Sequence, residues 1–329
     1  MFAALDAVDD LTTVVAELSD RDFVHVVSVS PVRHVGTIAS PRDVHGPFLL
    51  RNNDMDFDLG SYKARADRLR WDDLDLSSFT GTRLSEADLR CLRFMHDVEY
   101  HTVCYLRDLL VSPAHSDPEV TSFLSFWVYE EFWHGEAIAA VLDAHGEPSG
   151  QRRVATMRGR LGWSERLRPL GMMAGSVLAR EDFVALHMAW GAINEWTTQA
   201  GYAQLARRAG HPVLKELLKR IMRQEGRHID FYASQARERL AASTRARKLA
   251  RFALRRLWKP VGSGVMPAPE TQHLARYLFG HDEGLGALRR IDRRVDLLPG
   301  LAGMSLLERS VGRLAGDSDA PEKGLPLAA

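Results

Sequence analysis

Two Glu-x-x-His pairs stand out among the residues of this sequence that could do chemistry. Together with two further glutamates they form a set of six residues of metal-binding type: Glu99, Glu131, His134, Glu195, Glu225 and His228. Glu131 lies 32 residues after Glu99, and Glu225 lies 30 residues after Glu195, so each pair follows its own glutamate at a similar distance. A carboxylate and an imidazole three residues apart share one face of a helix. The spacing therefore predicts metal ligands.

The chemistry predicted for these residues is that of a two-metal carboxylate site. Four carboxylates buried together without compensation would each cost several kcal/mol, roughly, or would have to take up protons. A pair of cations removes that conflict. Carboxylate-rich sites with one imidazole per metal suit iron or manganese better than zinc. The ligand types leave Fe/Fe and Mn/Fe open.

Helical periodicity predicts the elements that must position these ligands. Four long helices are expected, over Glu86–Val111, Pro118–His145, Glu181–Ala209 and Pro212–Ala242. Each would carry one of the glutamates in the middle of its apolar stripe. Short connections make two hairpins, and a crossover of about thirty-five residues, with a weaker helical stretch near Met157–Leu170, joins them. The predicted fold is all-α, a ferritin-like four-helix bundle with a long crossover and extra N- and C-terminal segments.

The domain organisation follows from the flanking composition. Residues 1–80 are expected to form an arm, with a short helix between Asp6 and Glu17 and a strand-like run over Phe23–Val29. Residues 81–243 would form the di-metal bundle, and residues 244–314 a basic helical extension with helical patterns near Glu270–Phe279 and Leu301–Leu314. Residues 315–329 are expected to be a disordered tail.

The bulk properties exclude several classes of protein. The 329 residues carry 43 basic and 43 acidic side chains, so no global field favours nucleic acid. Cys91 and Cys104 are too far apart on one predicted helix to form a disulfide. The N-terminus lacks the pattern of a secretory signal, and the longest uncharged apolar stretch, Phe183–Asn194, is too short to span a bilayer. We therefore expect a cytoplasmic protein without a transmembrane segment.

The motifs resemble those of the soluble di-iron oxidases, most closely the acyl-acyl-carrier-protein desaturases. Residues 130–135, EEFWHG, are similar to that family's Glu-Glu-x-x-His-Gly, and residues 224–228, QEGRH, to its Asp-Glu-x-Arg-His. Gln224 stands where the family has Asp, and Trp133 where it often has Arg. Thr198 matches the family's Glu-x-x-Thr. Sibling families with a tyrosine in place of Ile138, or a histidine in place of Ile221, fit less well.

The resemblance implies roles and partners beyond the six ligands. Thr198 would take part in oxygen activation, and Glu130, Gln224 and Arg227 would lie behind the ligands, with Glu130 orienting a histidine. Two iron ions would use O₂ as co-substrate to desaturate, or otherwise oxidise, an acyl chain held on acyl carrier protein. A ferredoxin-type donor would supply electrons, and the chain would form a homodimer.

Two other functions stay open on the sequence. The chain could be a ferritin-like oxygenase or ferroxidase that acts on another substrate or on iron itself, or a bundle kept for packing alone. A narrow apolar tunnel beside the metals would favour the acyl substrate, and a solvent-open polar pocket would favour iron.

Several further residues allow both a functional and a purely structural interpretation. A third pair, Glu270/His273, lacks a partner carboxylate and is interpreted as a chance copy. Three histidines near the bundle are expected to be core or surface residues rather than ligands: His96, His101 and His187. Four tryptophans could line a channel or simply pack: Trp127, Trp133, Trp190 and Trp196. The basic run Arg245–Lys259 could dock an acidic carrier or a membrane surface, although a solvated helix end explains it more simply.

Overall fold

The computed structural model describes residues 57–316, and within that range it is all-helical, without a β-strand. The all-α prediction is thereby confirmed. The helix predicted between Asp6 and Glu17, the strand-like run Phe23–Val29 and nearly all of the predicted tail lie outside the described residues. Eleven helices follow one another in the described range: α1 (Leu59–Arg65), α2 (Glu86–Leu110), α3 (Pro118–Ala144), α4 (Gly150–Gly159), α5 (Trp163–Ala179), α6 (Glu181–Ala209), α7 (Pro212–Ala242), α8 (Thr244–Arg256), α9 (Ala268–Phe279), α10 (Asp282–Asp296) and α11 (Arg313–Gly316).

The four long helices, α2, α3, α6 and α7, begin and end within one residue of their predicted bounds. Local capping explains the agreement. Ser85 accepts a hydrogen bond from the backbone of Asp88 and forms a capping box with it, and Asp117 caps α3. Gly210 ends α6 in the left-handed region at φ 66°, and Pro212 then opens α7.

The long helices pack as two pairs, α2 with α3 and α6 with α7, and the pairs meet through α3 with α7 and α2 with α6. The C-terminal helices close over this arrangement, since α8 packs on α6 and α7, and α9 on α2 and α6. One apolar core runs from Tyr62 in α1 to Val311 near the end of the described chain. The C-terminal extension is therefore part of the same packed body as the long helices.

Three segments differ from the sequence-based prediction. The crossover forms two helices, α4 and α5, where one weak stretch was expected. Helix α10 was not predicted, and the helix expected over Leu301–Leu314 begins only at Leu306 and contains a π-turn at Glu308–Gly312 before the short α11. The basic run forms its own helix, α8, whose alanines face the core while its arginines face outward. None of the helices in residues 57–316 combines the length and apolar character that a bilayer-spanning segment needs.

Candidate metal centre

The four long helices bring all six predicted ligands together in the core. Helix α2 contributes Glu99, and α6 contributes Glu195. Helices α3 and α7 contribute the two Glu-x-x-His pairs. Every one of the six side chains is buried. Because each glutamate sits mid-helix on the core-facing stripe, packing the helices forces the carboxylates toward one another.

The ligand atoms form two overlapping groups, and in each group all of them lie within 4.8 Å of one another. Both groups contain Glu131 and Glu225. The first group adds Glu99 and His134, and the second adds Glu195 and His228. Each group could hold a metal ion, and Glu131 and Glu225 would be available to both.

Both histidines turn the same ring nitrogen toward the cluster. His228 Nδ1 lies 3.1 Å from Glu131 Oε1 and 3.2 Å from Glu225 Oε2. His134 Nδ1 lies 3.4 Å from Glu225 Oε1 and 3.8 Å from Glu99 Oε2. Since Nε2 of each ring is engaged on the far side, Nδ1 is the atom available to a metal.

The partners of the two Nε2 atoms are Glu130 and Gln224. His228 Nε2 is 2.8 Å from Glu130 Oε2, and His134 Nε2 is 2.9 Å from Gln224 Oε1. A ring that donates from Nε2 is held in the tautomer whose Nδ1 lone pair can bind a metal. Gln224 does this with an amide oxygen, which accepts a hydrogen bond as a carboxylate would but carries no charge.

Three further contacts hold these orienting residues in place. Arg227 forms an ion pair with Glu130, and the Tyr62 hydroxyl donates to the same carboxylate at 3.0 Å. The Gln224 amide nitrogen donates to the Asp67 carbonyl at 3.0 Å. Tyr62 and Asp67 come from the segment before α2, so this segment braces both histidines. Periodicity could not predict that role, because these two residues lie outside the four long helices.

The buried charges shift the pKa values in opposing directions. Burial and the charges of Glu99 and Glu225 raise the pKa of Glu131 well above its usual value. Burial and the charge of Glu225 likewise raise the pKa of Glu195. Burial alone would also raise the pKa of Glu225, but the nearby imidazoles of His134 and His228 outweigh it and lower that pKa. Without metal, the buried carboxylates therefore repel one another, and they cannot all be charged without a cost in free energy.

Unsatisfied polar atoms show that cations fit this cluster. Glu99 Oε2, Glu131 Oε1, Glu225 Oε1 and His134 Nδ1 are fully buried and make no hydrogen bond. Buried polar atoms normally have partners, and each orphan costs about 1–3 kcal/mol. All four belong to the donor groups, so a pair of hard cations would satisfy them together.

Two aromatic residues also touch the glutamates. Trp127 Nε1 donates to Glu195 Oε1 at 3.0 Å, and the Tyr202 hydroxyl donates to Glu99. Both lie on the predicted apolar stripes, one turn before Glu131 and one turn after Thr198. Their helical phase could have identified them, whereas their residue types suggested only packing.

A cavity of about 50 Å³ lies against the Glu99 side of the centre. Its wall is almost entirely apolar, and Glu99, Thr198 and Tyr202 border it. Phe94 of α2 and Leu274 and Phe279 of α9 form other parts of the wall. The half-buried Thr198 thus faces this cavity from one turn beyond Glu195. The cavity holds a few water-sized groups, so a longer chain would require the wall to move.

The other candidate residues do not belong to the donor groups. His96 is fixed by Asp97 at 2.9 Å and by the backbone of Gly150 at 2.9 Å. His101 and His187 are buried on other parts of α2 and α6. Glu270 of the third pair forms an ion pair with Arg90 at 2.8 Å. None of the four predicted tryptophans borders the cavity described above.

Comparison with known proteins gives no match: no family model, no curated protein and no solved structure is similar to this chain.

Proposed function

We propose that this chain is a ferritin-like, di-iron oxidoreductase that uses O₂ to oxidise an unactivated C–H bond of an acyl chain. The observation that carries the proposal is the pair of donor groups sharing Glu131 and Glu225, with an apolar cavity beside them. Four carboxylates and two imidazoles suit iron or manganese. When bound, the two ions supply the redox chemistry with O₂.

The chain's own residues prepare the site for that chemistry. Glu130 and Gln224 keep the protons of His228 and His134 on Nε2, so that Nδ1 is free toward the centre. The wall around Phe94 and Phe279 offers almost no polar partner to water on the Glu99 side. Thr198 borders this cavity, and the resemblance to the desaturases implies that its hydroxyl takes part in oxygen activation.

The apolar cavity favours an acyl substrate over iron as substrate. A ferroxidase needs a polar path along which hydrated Fe²⁺ can enter, whereas the wall of this cavity is almost entirely apolar. The resemblance to the desaturases then makes cis double-bond formation, with electrons from a ferredoxin-type donor, the specific reaction proposed.

Acyl carrier protein is the proposed carrier of the substrate, and a groove on α8 supports an acidic partner. Five cationic side chains and one phenylalanine line this groove: Lys248, Arg251, Phe252, Arg255, Arg256 and Arg309. Its volume is about 560 Å³. Complementary charge would steer an acidic carrier protein toward it. The homodimer is proposed on the resemblance alone.

The test is a turnover assay with the full chain loaded anaerobically with Fe²⁺. The iron content is measured first, and O₂, a ferredoxin with its reductase and acyl-acyl-carrier protein are then added. Mass spectrometry should find an acyl product that has lost two hydrogens or gained an oxygen. Glu225→Gln should abolish the product, and Glu270→Gln should not. Iron oxidation by O₂ without any acyl product would support the ferroxidase alternative and overturn the acyl proposal.

A further inference from the structure

Helix α5 exposes an apolar face. Leu167 is 51% exposed, Leu170 58%, Met173 47% and Val177 69%. At 100° per residue these four positions fall within an arc of about 120° on one side of the helix. The exposed Ala174 lies in the same arc. Among the described residues this is the longest helix-borne run of large exposed apolar side chains.

The inner side of α5 carries two charged residues, Glu165 and Arg168. Glu165 lies 3.5 Å from His101 Nε2, and Arg168 Nε lies 3.0 Å from the buried carboxylate of Asp108. A surface helix ordinarily turns its charges to water and its apolar side to the core. Around these residues α5 does the reverse, because its ion pairs face α2 and its leucines face outward. Such a face is typical of a surface that contacts something apolar.

Exposed arginines flank α5 along the chain, in addition to Arg153 and Arg168, which pair with buried aspartates of α2. Residues 150–180 contain seven arginines and one acidic residue, Glu165. Arg152 and Arg160 are exposed before α5, and Arg180 is exposed directly after it. Long basic side chains at the edge of an apolar helix face can reach the phosphate level while the apolar residues enter the acyl region. The neutral net charge of the whole chain conceals this local excess.

We propose that α5 is a membrane-surface helix, which docks the protein on bilayers that contain anionic lipid. The helix would lie in the plane of the interface, with Leu167, Leu170, Met173 and Val177 among the acyl chains. The arginines would add attraction to anionic headgroups. The proposal needs neither metal nor turnover, so it stands or falls separately from the proposed oxidase activity.

Other occupants fit this face less well. A second copy bound through the same face would bring two arginine-rich rims together, and their repulsion would oppose association. An acidic protein or a nucleic acid would complement the charge of the arginines but would offer no apolar surface to the central leucines and valine. An anionic bilayer offers both an apolar interior for the leucines and valine and negative headgroups for the arginines.

The experiment measures binding of the full-length, metal-free chain to vesicles by co-sedimentation. One set of vesicles is phosphatidylcholine, and the other contains phosphatidylglycerol as well. We expect binding to the second set and weaker binding to the first. The double variant Leu170→Glu/Val177→Glu should weaken binding on the order of tenfold or more, since it removes two inserted apolar side chains. The variant Arg152→Gln/Arg160→Gln should reduce the preference for phosphatidylglycerol.

Leu297→Glu is the matched control, because Leu297 is an apolar side chain that is 75% exposed and lies beyond α10. It should bind as the wild type does. Thermal unfolding and sedimentation velocity are recorded for every variant. The proposal is overturned if the wild type does not bind, or if the double variant and Leu297→Glu behave alike. It is also overturned if the double variant unfolds earlier or dissociates a dimer, because another segment or a second copy would then cover the face.

Discussion

At the scale of single residues, the centre depends on which glutamates are shared. Glu131 and Glu225 occur in both donor groups, whereas Glu99 and Glu195 occur in one each. Glu131 and Glu225 belong to both groups because their helices, α3 and α7, contact each other, and each helix carries its Glu-x-x-His pair on the contacting stripe. The four glutamates should therefore differ in how many metal ions are lost when each is replaced.

We expect Glu131→Gln and Glu225→Gln to lose binding of both ions, and Glu99→Gln and Glu195→Gln to lose chiefly one. The reason is that an amide keeps the size of the carboxylate but removes the charge that hard cations require. Metal content per chain after loading with Mn²⁺, measured by plasma mass spectrometry, distinguishes the two outcomes.

Glu270→Gln is the control for these variants, because Glu270 belongs to the third Glu-x-x-His pair and pairs with Arg90 instead. It should retain the wild-type metal content. Equal losses for all four ligand variants would contradict the shared role of Glu131 and Glu225.

At the scale of helices, close contact between α6 and α7 sets the geometry of the site. Gly191 lies one turn before Glu195, and the buried ring of Tyr232 lies one turn after His228. A Cβ atom at Gly191 would lie within 2.5 Å of Tyr232 Cε1, which no side chain tolerates without movement. Gly135, directly after His134, is crowded in the same way by Tyr100. These glycines let the ligand-bearing helices approach their neighbours.

Gly191→Ala is predicted to destabilise the fold by about 1–3 kcal/mol, because the added methyl group would overlap the fully buried Tyr232 ring. Urea unfolding of the metal-free protein measures the change in the free energy of unfolding. Gly226→Ala is the matched control on α7, since an added Cβ there meets nothing within 4 Å. It should stabilise the fold by up to about 1 kcal/mol through helix propensity. The same sign for both variants would argue against the close contact.

At the scale of the whole molecule, one core joins the segment before α2, the four long helices and the C-terminal helices. The core also encloses polar groups without partners outside the metal centre. His187 is buried against Phe183 and Tyr105, and neither of its ring nitrogens makes a hydrogen bond. Burial, with a further contribution from Arg168, lowers the pKa of His187 to about 3. Its charge state therefore couples pH to the stability of the entire chain.

Because its folded-state pKa lies below the unfolded value of about 6.5, His187 stays neutral when folded while the unfolded chain takes up a proton. The free energy of unfolding should therefore fall as pH falls from about 6.5 toward 3, by up to about 1.4 kcal/mol per pH unit from this group. His187→Leu should lose this contribution.

Urea unfolding of the metal-free wild type and of His187→Leu at several pH values tests the coupling. The difference in the free energy of unfolding between the two proteins should be constant above about pH 7.5. Below the pKa of His187 in the unfolded chain, it should shift in favour of the variant. A difference that stays constant from neutral pH into the acid range would show that His187 does not couple pH to folding.

The sequence by itself determined the local features of this protein. The bounds of α2, α3, α6 and α7 follow from caps and apolar periodicity, because both are set by interactions within a few residues. The six candidate ligands followed from the same phase, since a residue at the centre of an apolar stripe must face the other helices. Helix α10 was missed although its pattern is amphipathic, and the helix expected over Leu301–Leu314 is present only from Leu306 onward, with a π-turn at Glu308–Gly312.

Only the tertiary structure decided how distant segments meet. Tyr62 and Asp67 contact Glu130 and Gln224, the residues behind the two histidines. These contacts join residues more than sixty positions apart, and no local pattern predicts them. The assignment of Glu131 and Glu225 as the shared carboxylates depends on which helices face each other. The outward apolar face of α5 likewise emerges only from packing, because its periodicity alone would have placed those leucines in the core. Local interactions fix helices and their phase, whereas long-range packing fixes which faces meet and which remain exposed.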